Sequence, residues 1–138
     1  MVSPDILIVE DNAAHAELIG RAFEPDDFFQ LRLAPSLREA RVAIEESRPG
    51  LVITDLLLPD GRGTELLPAN GTADFPVVVM TGQGDEKMAV EAMKAGAVDY
   101  FVKSPQAIAE LPRVAVSTLR EWKHIVERRR AETALLAS

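Results

Sequence analysis

The 138 residues predict an open α/β sheet with helices on both faces. Three observations carry that expectation. Five short apolar runs alternate with segments of helical periodicity. Three of the runs, over residues 6–9, 51–53 and 77–80, are continuously apolar, as strands buried on both faces require. Strands separated by single helices pair in parallel through right-handed crossovers.

Each element has its own signal. Asp5-Ile6-Leu7-Ile8-Val9 reads as a buried strand ending in Glu10-Asp11. Asn12 caps a helix whose apolar face is Ala16, Leu18, Ile19, Ala22 and Phe23. Pro25-Asp26-Asp27 breaks it, and Phe29-Gln30-Leu31-Arg32-Leu33 alternates like an edge strand or one with a wet side. Ser36 caps a second helix, with Glu39 completing a capping-box pattern and Leu37, Ala40, Val42, Ala43 and Ile44 as its apolar set. Pro49-Gly50 ends it. Leu51-Val52-Ile53-Thr54-Asp55 is another buried strand, followed by the loop Pro59-Asp60-Gly61-Arg62-Gly63 and a short helix over 64–67. Pro76-Val77-Val78-Val79-Met80-Thr81 is the next strand. Gly82-Gln83-Gly84 leads into a helix over 85–94, which Ala95-Gly96-Ala97 closes. Tyr100-Phe101-Val102 is the last strand, ending at Lys103.

Residues 104–110 read as a loop or a single turn. Pro112 suits a first helical position, so the final helix is expected to begin near it. Val114, Leu119, Trp122, Val126 and Leu136 give it a partial apolar stripe. A heptad reading puts Arg129 and Thr133 in the seam, which supports a coiled coil only weakly. The expected organisation is one domain over 1–122, with 123–138 as the projecting end of the helix or a linker.

Composition excludes several classes. Hydrophobic residues make up 47% and charged residues 27%, a globular profile rather than a disordered one. Without cysteine there are no disulfides, thiolate metal sites or cysteine nucleophiles, which suits a reducing compartment. No apolar run approaches the ~20 residues of a membrane span, and the start lacks a signal-peptide pattern. A cytoplasmic domain without membrane contact is expected. The formal charge of −7 argues against broad nucleic-acid binding. With Arg128-Arg129-Arg130 near the C-terminus, the rest is more acidic still, and better suited to a cation or a basic partner.

In open α/β sheets, ligands bind outside the carboxyl ends of the strands. Glu10, Asp11, Asp55, Thr81 and Lys103 all stand there. Taken singly they are ordinary: an aspartate that caps a helix, a threonine that favours strands, a solvated lysine. The fold, however, brings together groups far apart in sequence. Three clustered carboxylates repel one another, and a divalent cation relieves that repulsion. Oxygen ligands without sulfur or imidazole favour Mg²⁺, with Mn²⁺ possible. Thr81 and Lys103 then face a phosphoryl group as hydroxyl donor and positive charge. Asp55 is a candidate nucleophile, because carboxylates form acyl phosphates.

These residues sit in stretches that resemble the receiver domain of two-component response regulators. They are Ile6 to Asn12, Leu51 to Gly61 with Gly63, Pro76 to Gly82, and Ala92 to Lys103. In order and spacing, the likeness covers residues 4–120. It implies a flavodoxin-like sheet of order 2-1-3-4-5 with an extended C-terminal helix. It implies that Asp55 accepts phosphate from a histidine kinase or histidine phosphotransfer protein. Asp11 and Asp55 would bind Mg²⁺, Glu10 through water, with the Leu57 carbonyl as a further ligand. Thr81, the Gly82 main chain and Lys103 would contact the phosphoryl oxygens. Tyr100 would be the switch aromatic that turns inward as Thr81 moves, altering the surface around the helix of 85–94 and the last strand. A homodimer through that region or through the C-terminal helix is a further implication. Such a domain is a phosphoacceptor with intrinsic self-phosphorylation and self-dephosphorylation, and not a turnover enzyme.

The chain departs from the family pattern in two places. Ser104 stands where a proline usually follows the lysine, with Pro105 next, which leaves the peptide isomer and the loop's path open. Leu57 and Gln83 occupy the positions that flank an attacking water, and Leu57 cannot orient one, so slow loss of phosphate is expected. Leu57 also weakens the alternative of a Mg²⁺-dependent phosphohydrolase, which needs an acid there. Asn12-Ala13-Ala14-His15 offers no glycine-rich loop for a nucleotide or flavin. A receiver that only scaffolds or dimerises, without phosphorylation, is the other alternative. His15 and His124 read as surface helix residues. The Arg128 to Glu132 stretch is similar to linkers that lead from receivers into sensory or kinase modules, as in a hybrid sensor kinase.

Overall fold

The computed structural model describes residues 4–25, 27–67 and 74–137. Five strands, β1 (Asp5–Val9), β2 (Gln30–Ala34), β3 (Leu51–Asp55), β4 (Val77–Thr81) and β5 (Asp99–Val102), form one parallel sheet of order β2-β1-β3-β4-β5. The helices are α1 (Ala13–Phe23), α2 (Leu37–Glu46), α3 (Glu86–Ala95), α4 (Pro105–Ala109) and α5 (Leu111–Ala137). This is the flavodoxin-like order expected from the sequence.

The continuous apolar runs serve two cores at once. Successive strand residues point to opposite faces. Ile6, Ile8, Ile53, Val78 and Met80 pack on one face with Ile19 and Phe23 of α1 and Leu111 and Ala115 of α5. Leu7, Val9, Val52 and Val79 pack on the other with Ala40 of α2 and Ala92 of α3. Register aligns the layers: Ile8 pairs with Ile53, and Ile53 with Val78. Burying each such side chain stabilises the fold by about 1.5–3 kcal/mol. β2 is an edge strand, which explains its alternating sequence.

Local signals position the helices. Asn12 Oδ1 accepts from the His15 N–H at 3.0 Å, and Ser36 Oγ from the Glu39 N–H at 3.2 Å. Gly96, at φ 118°, ends α3 in the left-handed conformation that glycine adopts without penalty. The expected apolar faces are narrower than the sequence indicates. Leu18 and Val42 are exposed, because each lies at the edge of its helix's stripe beside residues that do reach the sheet, Ile19 and Ala43.

Three segments take more definite form than the sequence indicated. Residues 105–109 form a short helix, capped by Ser104 Oγ on the Ala107 N–H at 3.0 Å, with Pro105 at its first turn. The described residues contain no cis peptide bond. α5 begins at Leu111, so Pro112 is its second residue, where a missing N–H still costs no intrahelical bond. Its buried stripe is Leu111, Ala115 and Thr118, and Val114 lies beside it. The short helix after β3 is a 3₁₀ turn over Gly63–Leu66, and the loop before it forms a small antiparallel ladder of Leu57–Leu58 with Gly61–Arg62.

Candidate functional site

The carboxyl edge of the sheet collects the polar side chains. β1 runs directly into Glu10, which is 4% exposed, and then into Asp11, which is open to solvent. β3 ends at Asp55, also buried, and β4 at buried Thr81. Lys103 follows β5, tied back by its own N–H to the Thr81 carbonyl at 2.8 Å.

The lysine ammonium is the hub. Lys103 Nζ donates to Asp55 Oδ2 at 3.0 Å and to Glu10 Oε2 at 3.1 Å. The other Glu10 oxygen accepts from the Asn12 N–H at 3.0 Å. One cation thus spans two buried carboxylates, which leaves the site short of positive charge. The effect shows on Asp55. Burial is the largest influence and raises its pKa from 3.8 to about 6; the Lys103 hydrogen bond opposes this, and the Glu10 charge adds to it. For Lys103, burial pulls the pKa down, but hydrogen bonds and charge from Asp55 and Glu10 outweigh it and hold the ammonium above its usual range.

Glu10, Asp11 and Asp55 each bring a carboxylate oxygen within 4.8 Å of the others. An all-oxygen set with a surplus of negative charge fits a hard divalent cation. These residues could hold Mg²⁺. Leu57 is exposed and stands two residues past Asp55.

Beside this trio lies a cavity of about 190 Å³, lined by Asp55, Leu57, Gly82, Asp85 and Lys103 among others. Thr81 Oγ1 points back to the Phe101 carbonyl at 3.4 Å rather than into the cavity. Tyr100, expected to be a switch aromatic, is 40% exposed on β5.

Two local devices shape the loop after β3. Asp60 accepts from the Leu37 N–H at 2.9 Å and the Arg38 N–H at 3.0 Å, pinning the loop to the start of α2. Those backbone hydrogen bonds hold its carboxyl below the usual range. At Gly63 a Cβ would stand 2.3 Å from the Asp55 carbonyl oxygen, so only glycine lets the chain pass.

The sequence reading missed two members of this neighbourhood. His15, read as an ordinary surface residue, places Nδ1 3.4 Å from Lys103 Nζ and 3.8 Å from Glu10 Oε1. Its position one turn into α1 directs it back over the strand end, and that offset from the acidic pair was the available signal. Asp85, read as part of a helix, lines the cavity. His124 sits where expected, 3.9 Å from Glu127 one turn along the exposed end of α5.

Comparison with known proteins converges on one family. A family model described as the response regulator receiver domain matches residues 6–115. The chain is 42% identical over 133 residues to the methanogenesis regulatory protein FilR1 of Methanothrix harundinacea, covering 90% of this chain and 29% of that protein. It is 38% identical to the transcriptional regulatory protein DpiA of Escherichia coli, covering 88% of this chain and 54% of that one. It therefore spans between about a third and about half of these relatives. Among solved structures, a response regulator receiver domain protein from Clostridium thermocellum superposes with a TM-score of 0.72 at 26% identity, covering 89% of this chain and 98% of that one. The receiver domain of NtrX from Brucella abortus gives 0.70 at 28% identity, covering 83% and 99%.

Proposed function

The chain belongs to the response regulator receiver family, and from that premise we propose that it is the phosphoacceptor of a two-component phosphorelay, with Asp55 as the acceptor. The observation that carries this reading is the position of Lys103 Nζ, 3.0 Å from one Asp55 oxygen and 3.1 Å from Glu10.

The chemistry follows from that placement. The phosphoryl group of a phosphohistidine, on a kinase or phosphotransfer protein, meets an Asp55 oxygen. A P–O bond forms as the P–N bond breaks, and the imidazole leaves with its electron pair. The Lys103 ammonium is close enough to follow the charge onto a phosphoryl oxygen. Glu10, Asp11 and Asp55, which lie together, would hold Mg²⁺ with the Leu57 carbonyl as a further ligand, and the ion would neutralise charge on the transferring group. The Gly82 main chain stands at the cavity wall to donate to a phosphoryl oxygen. Thr81 reaches it by giving up its contact with the Phe101 carbonyl.

That movement is the switch. Thr81 Oγ1 swings toward the phosphoryl group, and Tyr100, on the neighbouring strand, moves inward into the space it leaves. Val90 and Met93 of α3, Tyr100 of β5 and Val116 of α5 are exposed residues on the elements involved, a surface that a second copy or an effector covers. Residues 1–122 act as the receiver, and 123–138 link it toward a dimer partner or a further module. None of the described helices is long and apolar enough to cross a membrane. The nearest phosphate chemistry on a related plan, hydrolysis of phosphate esters, lacks an acid at Leu57.

The test is intact-mass measurement after acetyl phosphate with Mg²⁺. The parent gains one phosphoryl group and Asp55→Asn gains none. An unmodified parent under conditions that saturate other receivers would overturn the proposal.

A further inference from the structure

Asp85 is a helix-capping aspartate that does not cap. It stands at the N-cap of α3, where an aspartate ordinarily accepts from a first-turn N–H. Its backbone, at φ −100° and ψ 26°, is not the extended conformation of a capping residue, and its side chain makes no cap hydrogen bond. Among the described residues it has no ion pair either. Instead the carboxylate folds back over the preceding turn. Its Oδ2 lies 3.3 Å from where a Cβ at Gly82 would stand. Gly82 and Gly84, the latter at φ +90°, give the turn the freedom this needs.

The side chain thus reaches the cavity beside Asp55. Of the described residues that line it, only Asp55, Lys103 and Asp85 carry polar side chains. The first two are engaged with each other at 3.0 Å. Leu57, where a water-orienting side chain would be expected, is apolar, and Gln83 is exposed and does not line the cavity.

We infer that Asp85 is the water-orienting group of the site and sets the lifetime of the phosphorylated state. This rests on the reading of Asp55 as phosphoacceptor. An attacking water hydrogen-bonds to the Asp85 carboxylate, and its oxygen adds to phosphorus. The bond between phosphorus and the Asp55 oxygen breaks, with the electron pair returning to the Asp55 carboxylate. The water's proton passes to Asp85 and then to solvent or to the departing phosphate. A positioned general base contributes factors of about 10²–10⁴, and water orientation alone part of that. Asp85 therefore supplies from one wall what Leu57 lacks on the other.

The experiment phosphorylates the protein with acetyl phosphate and Mg²⁺, removes the donor by desalting into Mg²⁺ buffer, and follows the phosphorylated fraction by mass. Asp85→Ala lengthens the half-life about tenfold or more. Asp85→Asn, which orients water but takes no proton, falls between it and the parent, and serves also if the alanine variant folds poorly. Leu57→Asn shortens the half-life by a larger factor in the Asp85→Ala background than in the parent, where Asp85 already orients the water, a non-additivity that a merely structural role would not give. Half-lives within twofold of the parent, or shorter, overturn the inference while leaving Asp55 as acceptor intact, as does loss of phosphoryl uptake in the Asp85 variants alone. A parent that takes up no phosphate overturns the receiver reading itself, and this inference with it.

Discussion

The carboxyl rim of the sheet and the far end of α5 are built from similar residue types on opposite terms. At the rim, acids and a lysine meet across long stretches of chain: Lys103 reaches back to Asp55 and to Glu10, and all three side chains are largely buried. At the end of α5 the side chains also meet neighbours on their own helix, alongside Asp74 of the loop before β4. Thr133 Oγ1 bonds the Arg129 carbonyl at 2.8 Å, His124 lies near Glu127, and Arg129 stacks over Trp122 at 5.1 Å, while Leu135 and Leu136 are 75% and 88% exposed. A charge placed by the whole fold in a poorly solvated pocket acquires altered chemistry. Between exposed charges on one helix the same Coulombic interaction is screened by water and weak.

The largest test of this contrast is Asp55→Asn. Beyond the loss of phosphoryl uptake, it should stabilise the metal-free protein. Asp55 has a pKa of about 6 in the folded chain against 3.8 ordinarily. The native state therefore holds more protons than the unfolded state between those values, so stability falls as pH rises through that window. Above about pH 6 the penalty is complete, at roughly 3 kcal/mol for two units. Urea melts should show the asparagine variant more stable than the parent by about 2–3 kcal/mol at pH 7.5, with the gap closing near pH 4. A constant gap across pH would mean the strain does not reside in that carboxylate.

Magnesium should relieve the same strain. At one hundred times its dissociation constant, it raises the stability of the parent by about 2.7 kcal/mol at pH 7.5. The ion competes with the proton on Asp55, so its affinity should fall between pH 7 and pH 5. Calorimetric titration at both pH values checks this, and Asp55→Asn should remove most of the pH dependence. Deleting acids from α5, such as Glu132, should leave Mg²⁺ binding unchanged.

Next in size is Gly63→Ala. The new methyl would meet the Asp55 carbonyl and the Thr54 side chain, both held by the sheet. Overpacking of this kind costs about 1–3 kcal/mol. Because it presses on Asp55 itself, Mg²⁺ affinity should fall with the melting temperature, and a variant that loses stability but binds Mg²⁺ normally would separate the loop from the site.

The contrast also explains what was legible in the sequence. The sheet was readable because continuous apolar runs and cap residues such as Asn12 and Ser36 are local signals. Glu10, Asp55, Thr81 and Lys103 were readable because strand ends mark one rim. Asp85 and His15 were hidden. Nothing in Gly84-Asp85-Glu86 shows that the aspartate declines its cap, and only the meeting of α1 with the segment after β5 brings His15 to Lys103. The start of α5 near Pro112 was legible because proline suits a first turn, and buried Leu111 sets it one residue earlier.

The smallest expected effect belongs to the other region. Among the described residues, removing 123–138 takes away the stacking of Arg129 on Trp122, worth about 0.5–1 kcal/mol, and the half-buried Ile125 and Val126, but no fully buried side chain. The last buried residue of α5 is Thr118, so the helix remains anchored by Leu111, Ala115 and Thr118. The shortened chain should therefore melt within a few degrees of the parent and take up phosphate from acetyl phosphate at a rate within about twofold, since no described residue beyond Trp122 lines the cavity beside Asp55. Any dimer held by the C-terminal helix should dissociate at the same time, which sedimentation velocity would show. If phosphoryl uptake instead collapses with the helix end, the two regions are coupled through α5, and the local character of that end is only apparent.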